Sequence, residues 1–154
     1  MLEAAPLIAK GSALFRVLDG LADATNIILL VWLLAVLVIG TKRQRLNRKN
    51  WLAVLLAIAS VYLVKTIDSK LHIWERMSLN YSTHSALAAV VVLSICFLDR
   101  TQRALAISVL VAYEVLQILL GFHSPLDIGS TLFVILPLAW LCLNSAKPQV
   151  AKVG

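Results

Sequence analysis

Charge, cysteine and local metal-ligand spacing are all scarce in this 154-residue chain. Charged residues make up 14% of it, against about a quarter in an average soluble domain. That shortage excludes an ordinary water-facing surface over most of the molecule. Two cysteines, Cys96 and Cys142, fall inside apolar blocks, which leaves no disulfide framework and no thiolate metal centre. Both read as small hydrophobes. No H-x-x-x-H pair, internal repeat or low-complexity stretch occurs. The opening stretch is not expected to act as a signal peptide, since Glu3 occupies the basic region such a peptide needs and the apolar stretch behind it is broken.

What is present is hydrocarbon. Hydrophobic residues account for 60% of the sequence, and they come in long uncharged blocks, so the solvent for most of the chain is lipid. Crossing a bilayer takes roughly 17–25 residues of helix. The blocks predict spans at about 24–40, 51–67, 82–98, 104–122 and 126–143. Ahead of them, residues 1–23 carry Leu7, Ile8, Leu14, Phe15, Leu18 and Leu21, interrupted by Lys10, Arg16 and Asp19. That pattern predicts an amphipathic helix lying at the interface. The expected architecture is a single all-α integral membrane domain over residues 1–154, with five transmembrane helices and one N-terminal interfacial helix.

The net charge of +6 does not indicate nucleic acid. Lys42, Arg43, Arg45, Arg48 and Lys49 cluster in the loop "TKRQRLNRKN" between two apolar blocks, where they read as cytoplasmic anchors. Arg100, Arg103, Lys147 and Lys152 then fall on the same side. The opposite, non-cytoplasmic side receives all three histidines, His72, His84 and His123, together with Lys65, Ser82 and Asp127. Ionisable groups at membrane depth are costly and mark function by default.

Two polar lips stand out at that level, "NYSTHSA" at 80–86 and "GFHSPLD" at 121–127. Ser82 suits the N-cap of one span. Ser124 with Pro125 suits the start of another, and Asp127 would complete a capping box there. Helix N-termini attract phosphate through free backbone N–H groups. Two histidines, a carboxylate and a lysine nearby suit phosphoryl transfer, one imidazole attacking phosphorus while the other protonates the leaving oxygen. Glu114 lies mid-span, one turn before Gln117, and needs a partner, water or a proton.

These residues resemble the type 2 phosphatidic acid phosphatases of membranes, whose motifs read K-x6-R-P, P-S-G-H and S-R-x5-H-x3-D. The resemblance covers roughly residues 60–143. "KTIDSKLHI" supplies Lys65 and places His72 at the arginine and Ile73 at the proline. "YSTH" supplies Ser82 and His84, with Tyr81 and Thr83 in place of proline and glycine. "LQILLGFHSPLD" supplies His123 and Asp127, with Leu116 and Gln117 in place of the Ser-Arg pair. The resemblance implies a bundle of that family's kind and a metal-independent phosphatase without cofactor. It would hydrolyse a lipid phosphomonoester or pyrophosphate at the non-cytoplasmic face of a bacterial-type inner membrane. It makes His123 the nucleophile, Asp127 its orienting carboxylate and His84 the general acid. Lys65, Ser82, Thr83, His72 and Gln117 become the phosphate-binding set, with Glu114, Lys70 and Arg76 as accessory groups.

Both motif arginines are replaced. Each lost charge-assisted contact is worth about 1.5–3 kcal/mol, because arginine grips phosphate bidentately and is always charged. Two other readings therefore stand beside the phosphatase. One is a catalytically degenerate relative that binds a lipid or another membrane protein. The other is a zinc-dependent hydrolase using His72, His84, His123 and Asp127. The bilayer and a lipid phosphate are the expected partners, with nucleic acid excluded and no protein partner indicated.

Overall fold

The computed structural model describes residue 9 and residues 11–146. The expectations for Glu3, Leu7, Ile8 and Lys10 at the start, and for Lys147 and Lys152 in the tail, lie outside the described residues. The described chain is helical: α1 (Ala13–Lys42), α2 (Arg48–Leu71), the short α3 (Ile73–Arg76), α4 (Thr83–Leu98), a 3-10 turn (Arg100–Gln102), α5 (Arg103–Leu119) and α6 (Pro125–Asn144). Among the described residues, four helices are long and apolar enough to cross a membrane: α1, α2, α5 with its preceding turn, and α6.

α4 is different. Its 16 residues span about 24 Å at the usual helical rise, less than the roughly 30 Å of a hydrocarbon core. It is largely buried, with five consecutive residues from Ala88 to Val92 inside the protein, and α1, α2, α5 and α6 all pack on it. A helix apolar all round belongs in an interior. Ser85, Ala86, Ala88, Ala89 and Ser94 keep its surface small, which lets neighbouring backbones approach closely. α2 lies beside α6 on one flank and α1 beside α5 on the other.

α1 departs from expectation. The boundary predicted at residues 23/24 is absent, and one helix of 30 residues begins behind the Ser12 cap, whose Oγ accepts from the Phe15 N–H at 3.0 Å. The reason is a shared stripe. Ala22, Leu29, Leu33, Val36 and Leu37 are its buried residues, spaced by sevens, fours and threes along one face. Ala22 belongs to the expected surface helix and Leu29 to the expected span, so the two segments pack through one face.

At the basic-loop end the polar groups close on one another. Asn47 and Asn50 form a capping box at the start of α2, and Asn50 Nδ2 donates to the Ala146 carbonyl at 2.7 Å. The Trp51 indole donates to Thr41 Oγ1 at 2.9 Å, and the Trp32 indole donates to Gln102 Oε1. Asp99 accepts from the Thr101 N–H and hydroxyl and from the Gln102 amide at 3.0, 2.6 and 2.9 Å.

Candidate active site

At the other end, the start of α4 is held from inside. Ser82 is its N-cap, and its Oγ accepts from the Ser85 N–H at 3.3 Å while donating to Ser85 Oγ at 2.8 Å. Ser85 Oγ donates to Glu114 Oε2 at 2.7 Å, and the Ser82 N–H donates to Thr131 Oγ1 at 3.1 Å. Ser82, Ser85 and Thr131 are all fully buried. A chain of hydroxyls therefore ties α4 to α5 and α6, and places His84 on the turn that it fixes. Glu114 is bonded to Ser85 and not to Gln117, and its other oxygen is buried without a partner.

The start of α6 carries the expected capping box. Ser124 Oγ accepts from the Asp127 N–H at 3.2 Å, and Asp127 Oδ2 accepts from the Ser124 N–H at 2.9 Å. Asp127 Oδ1 reaches across to the Asn80 N–H at 2.7 Å. The role expected for Asp127 needs correcting accordingly. Its carboxylate clamps the 79–82 segment to α6 and makes no hydrogen bond to His123, because the capping geometry at i and i+3 turns both oxygens toward backbone donors.

His84 and His123 nevertheless line one chamber, together with Gln117, Phe122, Asp19, Ala22 and Asp23. Its volume is about 310 Å³, near the lower end of small-molecule sites. Burial pushes the His123 imidazole below its ordinary pKa; the Asp127 charge opposes that shift and His84 adds to it. Its ring is thus neutral near pH 7, the nucleophilic form of an imidazole. His123 Nδ1 is buried with no hydrogen-bond partner. Gln117 is 3% exposed.

The expected cations are elsewhere. Lys65, Lys70 and Arg76 are exposed and do not line the chamber. His72 ends α2 in the left-handed conformation, φ 53°, which swings its ring outward to pair with Glu75 at 2.9 Å, both side chains more than half exposed. Ser82 faces inward to its hydroxyl partners, and half-buried Thr83 is not part of the chamber wall. The four proposed zinc ligands are therefore not assembled, and among the described residues no three His, Cys, Asp or Glu side chains are placed to hold a metal ion.

Sequence reasoning missed Asp19 and Asp23 as chamber residues, and Ser85 and Thr131 as supports. The first two had a legible signal. Asp19, Ala22, Asp23 and Asn26 fall at i, i+3, i+4 and i+7, one face of a helix, and that face meets α4 and α5. Asn26 Nδ2 donates to the Tyr113 hydroxyl of α5 at 2.8 Å, one turn deeper than Asp23. Nothing local marks Thr131, which matters only through a contact 49 residues away. No protein-family model, no curated protein and no solved structure matches this chain.

Proposed function

We propose that this protein is a membrane lipid phosphatase that uses His123 as nucleophile and His84 as general acid. The observation that carries the reading is that the two histidines, 39 positions apart in sequence, line a single chamber at the bundle end away from the basic loop. An imidazole nitrogen of His123 attacks phosphorus, the bond from phosphorus to the lipid oxygen breaks, and His84 gives that oxygen its proton. His84 then takes a proton from the water that cleaves the phosphohistidine, releasing phosphate and restoring both rings. The neutral state of His123 supports the first step. Ser82, Ser85, Glu114 and Thr131 position the His84 turn, and Asp127 fixes the loop beside it.

In the same reading α4 counts as a fifth, buried membrane helix. The five basic residues at 42–49 face the cytoplasm, and the chamber opens to the non-cytoplasmic face of a bacterial-type inner membrane. The bundle would then be a relative of the type 2 phosphatidic acid phosphatases.

A second reading has its own support. Two carboxylates and no lysine or arginine line the chamber, the composition expected of a scaffold that binds a ligand without hydrolysing it. Purified protein in detergent decides between them. Phosphate release from lipid phosphates that persists in EDTA and vanishes in His123→Ala and His84→Ala is the expected result. Absence of release from any lipid phosphate by folded wild type would leave the binding reading.

A further inference from the structure

Toward the basic-loop end, a trough of about 420 Å³ runs between α5 and α6 with α4 as its floor. It exists because α5 and α6 each pack on α4 and hardly touch each other. Ala89, Leu93 and Cys96 lie along the floor, Ile107 stands on the α5 side, and Leu136 and Trp140 stand on the α6 side. The floor positions fall at i, i+4 and i+7, one face of α4. Ala89 and Cys96 are small, which keeps the trough deep. From Ala89 to Phe97, where the floor ends, α4 rises about 12 Å. One leaflet, half of a hydrocarbon core, is roughly 15 Å thick.

Arg103 lines the mouth of this trough, and no other charged residue lines it. Its Nε donates to the Cys96 carbonyl at 2.8 Å, which ties the guanidinium to the last turn of α4. It forms no ion pair with a described residue. The closest acid along the chain, Asp99, is already taken by Thr101 and Gln102. Arg103 is also the first residue of α5, and no side chain caps that helix start. A cation there opposes the helix dipole, so helix stability does not account for it. Guanidinium and helix start both attract an anion. An anion alone would leave the apolar trough uncovered, and hydrocarbon alone would leave the arginine without a counter-charge.

We propose that the trough holds one anionic phospholipid of the basic-side leaflet. Its phosphodiester sits on the Arg103 guanidinium, and one acyl chain lies along α4 between α5 and α6. The site is separate from the histidine chamber and stands whether or not that chamber hydrolyses phosphate. The five basic residues at 42–49 draw anionic lipids to the same face. Trp140, half exposed, sits one turn before the end of α6, the level at which indoles meet headgroups. A partner helix fits less well, because it would need an acid in register with Arg103 at a depth where lipid phosphates already lie.

The test uses the full chain, stripped of lipid in neutral detergent and offered phosphatidylglycerol or phosphatidylcholine with the same acyl chains. Native mass spectrometry reads the lipid retained. Phosphatidylglycerol is expected to bind about tenfold more tightly, the ratio one charge-assisted hydrogen bond provides, and the ratio is expected to fall to about one in Arg103→Gln. Equal retention of the two lipids overturns the inference. So does a preference that survives Arg103→Gln, which would assign it to the 42–49 loop. Cys96 locates the acyl chain and needs no change at Arg103. In Cys142→Ala protein, maleimide labelling of Cys96 is expected to be several-fold slower with phosphatidylglycerol than with phosphatidylcholine. Equal rates overturn the inference, whether because no lipid enters the trough or because a partner helix fills it.

Discussion

The two ends of this bundle are both rich in polar groups, and they differ in whether those groups have found each other. At the basic-loop end, Asn47 and Asn50 cap one another, Asn50 reaches the Ala146 carbonyl, and Asp99 takes three donors. At the histidine end, His123 Nδ1 and Glu114 Oε1 are buried without partners, and Asp19 and Asp23 have no ion pair among the described residues. Buried polar atoms are nearly always satisfied. A closed network stabilises the helix ends, whereas an open one indicates that something else completes it. The comparison sets a network of satisfied hydrogen bonds at one end against buried unpartnered atoms at the other, the end where the proposed chemistry would sit.

The largest expected effect is on turnover. His84 is exposed and makes none of the side-chain hydrogen bonds that hold the start of α4, which run instead through Ser82 and Ser85. His84→Ala is therefore expected to lower kcat by about 10²–10⁴-fold, the usual contribution of a general acid, while the unfolding temperature stays where it was. A loss of activity accompanied by an equal loss of fold would erase the distinction between the two ends.

The pH profile sharpens the same contrast. Burial holds the His123 imidazole below its ordinary value of 6.5, so the proposed nucleophile stays neutral at pH 7 and release is expected to fall only as the pH drops below that value. Stability moves in the same direction. In that window the unfolded chain binds the proton and the folded chain does not, so the folded state weakens as pH falls. The contribution is complete above about 6.5. Denaturation midpoints measured from pH 8 to 5 are expected to decline, and to decline less in His123→Gln. An equal decline in the variant would assign the effect to another group.

Much of this geometry is readable in the residues themselves, and what is not has a physical reason. Ser82, Ser124, Pro125 and Asp127 announce helix starts because capping is local chemistry, decided within three residues. The apolar blocks from Trp51 to Leu143 announce their helices for the same reason. The unbroken α1 is harder, since Lys10, Arg16 and Asp19 lower the mean hydropathy of a segment whose buried stripe continues past Ala22 to Leu37. Lys65 and His72 match a motif in spacing, yet spacing does not say where a side chain turns. His72 adopts φ 53° and leaves the site. Asp19 and Asp23 were legible as one face of a helix, but their relation to His84 and His123 depends on packing across the bundle.

Within the histidine end, the hydroxyl chain offers a stability effect of intermediate size. Ser85→Ala removes the one hydrogen bond that Glu114 accepts and leaves a carboxyl group wholly unpartnered, at a cost of about 1–3 kcal/mol. Replacing Glu114 as well removes the part of the penalty that falls on its carboxyl group, while the Ser82 hydroxyl loses its Ser85 acceptor in both variants. The double variant Ser85→Ala/Glu114→Leu is therefore expected to melt above Ser85→Ala alone. Thermal unfolding in detergent checks the order, and a double variant less stable than the single one would mean that Glu114 has a further partner.

The smallest effect belongs to the closed end. Asp99 caps the turn at Arg100–Gln102, and that turn also presents Gln102 to the Trp32 indole of α1. Asp99→Ala is expected to cost about 0.5–2 kcal/mol, the range for a lost cap, and to leave kcat and KM unchanged because no chamber residue lies at this end. The hydrogen bond from the Thr101 hydroxyl leads the groups that hold the Asp99 carboxyl below its ordinary 3.8, outweighing partial burial. Its stabilisation is therefore present above that value and lost as pH falls through the lower folded value. Wild type and Asp99→Ala should thus differ in melting temperature at pH 7 and converge in strong acid. If Asp99→Ala altered turnover, the two ends would be coupled through α1, and the separation of structure from chemistry along the bundle axis would fail.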